Sequence, residues 1–201
     1  MRLYILFFCL LRLSAVAQSP YEQAIKQHRE HYKAEFLGSG GSPLQTKEAV
    51  DLLRFYPADS AYRVTATVQR LPGSKPVDLP TSMANKTAAE APYATLSFLI
   101  DGKPYQLTIY RSLSLATNPM YRDYLFLPFT DATSGKETYG GGRYLDIRTG
   151  QIQNGKLELD FNKAYNPYCA YKEGYACPIP PAANRLRVAI NAGELIYGGT
   201  H

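Results

Sequence analysis

Residues 93–112 read YATLSFLIDGKPYQLTIYRS, and this stretch decides the fold. Two runs rich in aromatic and β-branched residues flank Asp101-Gly102, a pair that favours the tight turn of a β-hairpin. Residues 93–100 and 104–112 are therefore predicted to be antiparallel strands. The remaining elements extend outward from this hairpin.

Further strand signals lie on both sides of the hairpin. Apolar and polar residues alternate over residues 62–69, which is the period of a half-buried strand. Asn154-Gly155 is a second strong turn signal, and the proline-bounded residues 72–92 are expected to be partly loop. Other strands are predicted at residues 124–129, 143–148, 156–161 and 186–190.

Helices are predicted before the strands. Ser19 and Glu22 have the spacing of a capping box, with proline at the first helical position, so a helix is expected over residues 19–37. Thr46 is the expected N-cap of a short second helix. The face of the first helix that should be buried carries Tyr21, Ile25, His28, Tyr32 and Phe36.

These elements predict an α+β, mostly β fold. Two N-terminal helices are followed by a curled, mainly antiparallel sheet of six or seven strands. A sheet of this length tends to curl, because curling leaves its strand edges less exposed. This favours a partly open barrel or a sandwich.

The N-terminus predicts export. Met1-Arg2 precedes the apolar residues 3–11, and Ala15-Val16-Ala17 has the small residues of a cleavage site. The apolar run is shorter than the roughly 20 residues that cross a bilayer. We therefore expect a signal peptide over residues 1–17 and a single domain over residues 18–201. The mature protein should be periplasmic or secreted, without a transmembrane anchor.

Composition excludes several function classes. The chain has a formal net charge of +5 without a run of Lys or Arg, so we expect no nucleic-acid partner. An exported protein meets little ATP or NAD, so we expect no cofactor. We also expect no metal site, because only 3 histidines and 3 cysteines are present. Asp131, Thr133 and Gly135 have too few further ligands for a calcium loop and fit an Asx turn better.

Cys169 and Cys177 are the two cysteines beyond the expected signal peptide. An even number of cysteines in an oxidising compartment is typical of a disulfide, which favours a bond between them. The alternatives are a thiol nucleophile and a zinc site. Neither has a histidine nearby in the sequence.

Gly140, Gly141, Gly142 and Arg143 form a candidate anion site, because free backbone N–H groups beside a guanidinium can hold a carboxylate or phosphate. The segment is neither a P-loop nor a dinucleotide fingerprint. Its alternative role is a flexible turn that leads into the next strand. In that alternative, Arg143 pairs with an internal carboxylate such as Glu194 and holds strands together.

Asp146, Asp160 and Glu194 are the carboxylates expected to lie nearest one another. The turn at residues 154–155 predicts that the first two lie on adjacent strands, in a register that places Asp160 opposite Thr149. That register gives no clean acid pair. A glycosidase needs two carboxylates about 5–10 Å apart across a cleft. The alternative is that these groups are charged strand ends.

A dense run of tyrosine and asparagine surrounds Cys169. Tyrosine and amide side chains can stack on sugar rings and hydrogen-bond to hydroxyls. The same residue types also form turns and pack with their hydroxyls at the surface. The run comprises Asn162, Tyr165, Asn166, Tyr168 and Tyr171.

Three motifs in this half of the chain resemble the uncharacterised family DUF1684. They are GGGRYLD at residues 140–146, AYNPYCAY at 164–171 and CPIPP at 177–181. Upstream, SPL at 42–44 and FYPAD at 55–59 look like the family's N-terminal half. The resemblance implies a stand-alone domain of about this size. It supplies no activity, cofactor or catalytic residue.

We expect an exported domain that binds a small polar, anionic or carbohydrate-like ligand. One alternative is a cell-envelope hydrolase that uses Asp146 or Asp160 as acid or base. Another is a structural or protein-interaction domain. The expected ligand site comprises Gly140, Gly141, Gly142, Arg143, Asp160, Asn162, Tyr165, Asn166 and Tyr168.

Overall fold

The computed structural model describes residues 19–199, so the expected signal peptide lies outside the described part of the chain. Seven strands form one antiparallel sheet. The strands are β1 (Arg63–Arg70), β2 (Val77–Pro80), β3 (Thr87–Ile100), β4 (Lys103–Ser112), β5 (Tyr124–Phe129), β6 (Arg143–Arg148) and β7 (Lys156–Asp160).

The strand order is β6-β5-β4-β3-β1-β7, with β2 paired to β3 beside this path. The sheet curls into a half-barrel whose two end strands, β6 and β7, are not paired with each other within residues 19–199. The expectation of a mostly β, curled antiparallel sheet is therefore confirmed.

The β3–β4 hairpin forms at the predicted turn. Asp101 and Gly102 have positive φ values of 49° and 72°, and Ile100 pairs with Lys103. Residues 72–92 are partly loop, as expected, and their remaining residues form β2 and the start of β3, which pair with each other. The short β2 contains a proline and lies beside the main path, which explains why its strand signal is weak.

The predicted N-terminal helix is confirmed as α1, Pro20–Gly38. Its capping box is complete: Ser19 Oγ accepts from the Glu22 N–H at 3.2 Å, and Glu22 Oε2 accepts from the Ser19 N–H at 2.7 Å. The predicted face is buried or half-buried at all five positions.

The expectation of two N-terminal helices is inexact. The second helix, α2 (Lys47–Asp51), is only five residues long, although Thr46 Oγ1 caps it through the Ala49 N–H at 3.3 Å. Short 3-10 turns make many of the remaining reversals of chain direction. These are Ser60–Tyr62, Pro119–Tyr121, Thr149–Gln151, Phe161–Lys163, Tyr168–Ala170 and Ala182–Asn184.

The turn at Asn154-Gly155 forms, but the hairpin predicted around it does not extend. Gln153 pairs with Lys156, and beyond this point β7 pairs with β1, so that Asp160 lies opposite Arg63. The predicted register with Thr149 is therefore wrong. The 3-10 turn at residues 149–151 separates β6 from β7, and the two strands reach opposite ends of the sheet.

Residues 186–190 were also expected to be a strand, and this prediction is wrong. Their neighbour Arg185 makes one isolated bridge to Thr130, while Leu186 and Ile190 are buried in the main core. Leu186 and Val188 also form backbone hydrogen bonds with residues 130 and 132, but the segment forms no regular strand.

Two apolar clusters hold the fold together. The main core fills the inside of the curled sheet and includes the fully buried Leu96, Phe129 and Phe161. The second cluster joins α1 to the C-terminal half and comprises Phe36, Leu44, Val50, Leu53, Tyr171 and Tyr197. Among residues 19–199, no helix combines the length and hydropathy of a membrane span.

Replacement of Ile25 by Asp should test the docking of α1. Ile25 is 1% exposed, so the change buries an unpaired carboxylate and should lower the free energy of unfolding by about 3 kcal/mol. Urea denaturation of this variant and of Ala24→Asp, at an exposed neighbouring position, measures the effect. Equal midpoints for the two variants would show that the helix is undocked.

Candidate functional site

A cavity of about 590 Å³ lies at the open side of the half-barrel. Both end strands, β6 and β7, line it, and α1 and parts of residues 163–178 form much of the remaining wall. Because the two end strands have no ladder between them in the described range, the cavity occupies the gap in the sheet. The opening of the barrel thus creates the concave site.

Asp146 lies where β6 borders the cavity. Its Oδ1 atom accepts hydrogen bonds from the hydroxyls of Tyr165 at 2.6 Å and Tyr124 at 2.8 Å. Tyr165 is held in place because its N–H and carbonyl pair with those of Tyr144, at 3.0 and 2.9 Å. Asp146 is an exposed residue, but its carboxyl lies against these two tyrosines, and the partial loss of hydration there raises its pKa.

Asp160 faces the same cavity from the end of β7. Its Oδ1 atom accepts from the backbone N–H and the side-chain amide of Asn162, both at 3.0 Å, and from the Tyr21 hydroxyl at 3.0 Å. Asn162 is buried and its amide also donates to the Asp59 carbonyl at 2.7 Å. Asp160 is therefore fixed in orientation by neutral donors.

Tyrosine rings form the largest group of aromatic side chains in the lining. Tyr144 and Tyr165 meet edge to face, with ring centroids 5.9 Å apart, and Tyr168 and Tyr175 do so at 5.3 Å. Such contacts hold each ring in one orientation. The five lining tyrosines are Tyr32, Tyr144, Tyr165, Tyr168 and Tyr175.

Acidic groups outnumber basic groups in the lining. The carboxylates are those of Glu35, Asp146, Glu158 and Asp160, and the basic side chains are His28, His31 and Lys163. Two of the carboxylates have partners, since His31 lies 3.2 Å from Glu35 and Arg63 lies 3.9 Å from Glu158. Burial and then the charge of Lys163 lower the pKa of His28, which favours a neutral imidazole.

The cavity collects some of the predicted site residues and leaves others outside. Asp160, Tyr165 and Tyr168 line it, as does Asp146 of the hydrolase alternative. The other predicted positions are not part of its lining. They are Gly140, Gly141, Gly142, Arg143, Asn162 and Asn166.

Arg143 is fully buried and points into the protein. One terminal nitrogen, Nη2, donates to Asp131 Oδ2 at 2.9 Å and to the Ile190 carbonyl at 3.0 Å. The other, Nη1, donates to the carbonyls of Ala192 and Glu194, the latter at 3.3 Å. This geometry supports the scaffold alternative, with Asp131 in place of the expected Glu194 carboxylate.

The glycine-rich segment fits its alternative role as a turn. The Gly142 N–H donates to the Tyr139 carbonyl at 3.1 Å, so this group is not free. A Cβ atom on Gly142 would lie 2.6 Å from the Phe129 carbonyl oxygen, and the residue has a φ of +90°. Glycine is therefore required here for close packing against β5.

Asn166 and Tyr171 belong to a buried cluster around Glu194. The Glu194 carboxyl accepts from the Asn166 N–H at 2.9 Å, from the Tyr171 hydroxyl at 2.8 Å and from the Tyr32 hydroxyl at 3.1 Å. Burial raises the pKa of Glu194 to about 7. Because Tyr32 lies on α1 and also lines the cavity, this cluster positions the helix wall of the site.

The α1 side of the cavity was missed by the sequence analysis. His28 and Tyr32 were assigned to a packed face, which is consistent with their half-buried state. Their neighbours His31 and Glu35 continue the same stripe at helical spacing. The sequence signal for this wall of the cavity was therefore a stripe of polar residues beside the buried face of α1.

The fold and the cavity define a class of small α+β domain, an antiparallel half-barrel with a tyrosine-lined, acidic pocket under an N-terminal helix. The family model for the protein of unknown function DUF1684 matches residues 48–195, and the chain belongs to this family. The resemblance found in the motifs is thereby confirmed. Helix α1 lies before the matched range.

The chain is also similar to an uncharacterized protein of Haloarcula marismortui whose structure was solved by solution NMR. The two share 33% sequence identity with a TM-score of 0.64, over 87% of this chain and 94% of that chain. No curated protein matches the chain.

Replacement of Arg143 by Lys should destabilise the fold. Lysine keeps the charge but loses the forked geometry, which leaves buried carbonyls without donors and should cost about 3 kcal/mol. Chemical denaturation measures the loss, with Arg122→Lys at an exposed position as the matched control. A wild-type midpoint for the Arg143 variant would contradict the scaffold role.

Proposed function

We propose that this domain binds a small, hydroxyl-rich ligand of carbohydrate type in the cavity between α1, β6 and β7. The observation that carries the proposal is the combination of five tyrosine rings and two oriented carboxylates, Asp146 and Asp160, around one cavity of about 590 Å³. Cavities of roughly 300–1,000 Å³ are typical of small-molecule sites.

The lining matches the chemistry of a sugar. The C–H faces of a pyranose ring pack on aromatic rings, and its hydroxyls donate to carboxylate oxygens. Tyr168 supports this role because its side chain is partly exposed while Phe36 and Tyr175 hold the ring. Asp146 and Asp160 supply acceptors on opposite sides of the gap in the sheet.

An anionic ligand has less support. Carboxylates outnumber basic groups in the lining, and like charges repel. The guanidinium of Arg143, which was the main reason to expect an anion, makes its contacts inside the protein. We therefore keep the carbohydrate-like part of the expectation and not the anionic part.

A hydrolase is a second candidate, favoured by one observation. Asp146 and Asp160 line the same cavity although they come from opposite end strands of the sheet. Burial raises the pKa of Asp146, as suits a general acid. Asp160, which accepts three hydrogen bonds at Oδ1, would then be the second carboxyl group of the reaction.

Calorimetric titration with a panel of neutral mono- and oligosaccharides tests the proposed binding. At least one member should bind, and Tyr168→Ala should weaken it about fivefold, because a stacking contact contributes roughly 1 kcal/mol. Tyr105→Ala, at a half-buried tyrosine outside the cavity lining, is the matched control.

Two results would contradict this proposal: no saccharide binds, or the two tyrosine variants bind equally. Release of nitrophenol from the matching nitrophenyl glycosides would instead favour the hydrolase. That activity should then be lost in both Asp146→Asn and Asp160→Asn.

Export and the disulfide are part of the same proposal. Cys169 and Cys177 are free thiols in the structure, and the Cys169 N–H donates to Cys177 Sγ at 3.2 Å. A hydrogen bond from the Cys177 side chain lowers the pKa of the Cys169 thiol to about 6. Because the thiolate is the attacking species in disulfide exchange, this pair is poised for oxidation outside the cytoplasm.

Mass spectrometry of the exported protein without reductant tests the disulfide. The mass should be lower by two hydrogens than that of the reduced chain, and Cys177→Ser should abolish the difference. Two freely alkylated thiols in protein taken from outside the cytoplasm would contradict the proposal.

A further inference from the structure

In the described part of the chain, Asp146 forms no ion pair, in contrast to Asp131 in the interior. Fully buried Asp131 is paired with Arg143 at 2.9 Å. Within residues 19–199, neither Asp146 nor Asp160 takes part in an ion pair. The hydrogen bonds to the two cavity carboxylates therefore come from neutral donors, as do those to the buried carboxyl of Glu194.

The nearest arginine on the same strand, Arg148, forms no ion pair with Asp146, although its charge acts on that carboxyl at longer range. Arg148 donates to Asp123 at 2.8 Å and to the Met120 carbonyl at 3.0 Å, and it is exposed. The contacts of Asp146 Oδ1 are instead two tyrosine hydroxyls, which orient the carboxyl without cancelling its charge. A charged group in such a place is stabilised when a cation binds beside it.

The aromatic surroundings of Asp146 also favour a cation. Tyr165 donates to its carboxyl and meets the ring of Tyr144 edge to face at 88°. The face of a tyrosine ring attracts ammonium groups electrostatically, by about 0.5–2 kcal/mol. A carboxylate beside tyrosine rings is therefore suited to a protonated amine.

The cavity lining is mainly acidic, whereas the whole chain has a positive net charge. The formal net charge is +5, yet the lining has four carboxylates against Lys163 and two histidines. Of those histidines, His31 faces Glu35, and burial lowers the pKa of His28, which favours its neutral form. A local negative site in a basic protein selects for cationic ligands at that site.

We infer that the ligand is a hydroxylated amine, such as an amino sugar, whose ammonium group binds Asp146 beside Tyr144 and Tyr165 while its hydroxyls bind on the Asp160 side. This inference rests on the proposed carbohydrate-type binding and names the class of ligand within it. It identifies Asp146 as the residue that determines selectivity for the amine.

A series of sugars with one ring and different charge tests this inference. Glucosamine, N-acetylglucosamine, glucose and glucuronate are titrated into the protein by calorimetry at equal ionic strength. Glucosamine should bind about tenfold more tightly than glucose or N-acetylglucosamine, because only it supplies an ammonium group, and glucuronate should bind weakest.

The Asp146→Asn variant separates charge from shape. In this variant glucosamine and glucose should bind with equal affinity, and measurable binding of both sugars shows that the cavity is intact. Asp78→Asn, on the exposed β2 strand and outside the cavity lining, should leave the preference unchanged.

The other outcomes of these titrations contradict either the amine inference alone or the proposed function as well. Equal binding of glucosamine and glucose overturns the amine inference and leaves the carbohydrate site standing. Tightest binding of glucuronate, or a preference for glucosamine that persists in Asp146→Asn, also overturns it. If none of the four sugars binds, the inference is wrong. If no member of the wider neutral panel binds either, the proposed function is wrong as well.

Discussion

The buried guanidinium of Arg143 is the interaction on which the rest of the structure depends. A buried charge is tolerated only when it is paired and hydrogen-bonded, and here Asp131 and the carbonyls of residues 190–194 meet that requirement. These contacts fix the C-terminal segment against β6. That segment carries Glu194, which in turn accepts from Tyr32 on α1. One cation inside the sheet therefore determines where the helix wall of the cavity lies.

The cavity itself follows from a sheet that does not close. The ends of the strand order are β6 and β7, and among residues 19–199 the free edge of β6 is extended only by the single bridge between Tyr144 and Tyr165. Such edges are normally covered, because unpaired backbone groups can pair with other chains. Here α1 and the tyrosine-rich segment cover the gap without filling it. The acids at the two edges, Asp146 and Asp160, thus face one space although no ladder joins their strands.

The parts of the fold that were predictable from the sequence are those set by short-range chemistry. Asp101-Gly102 and the capping box at Ser19 act within a few residues, so their patterns were sufficient. The pairing of β7 with β1 was missed because the local turn at Asn154-Gly155 gives no information about the long-range partner. Among the site residues, Tyr165 and Tyr168 could be proposed from composition alone. The role of Arg143 required its partner Asp131, which lies in a different loop.

The contacts of Tyr32 have a consequence for how the chain acquires its final form. Its partners Tyr171 and Glu194 are 139 and 162 residues further along the chain. A polypeptide leaves the ribosome with its N-terminus first, so α1 emerges well before Tyr171 and Glu194 have been synthesised. Closure of such large loops is entropically unfavourable until most of the sheet has assembled. The α1 wall of the cavity is therefore completed late in folding, and a chain that ends before Glu194 would lack the carboxyl that accepts from Tyr32.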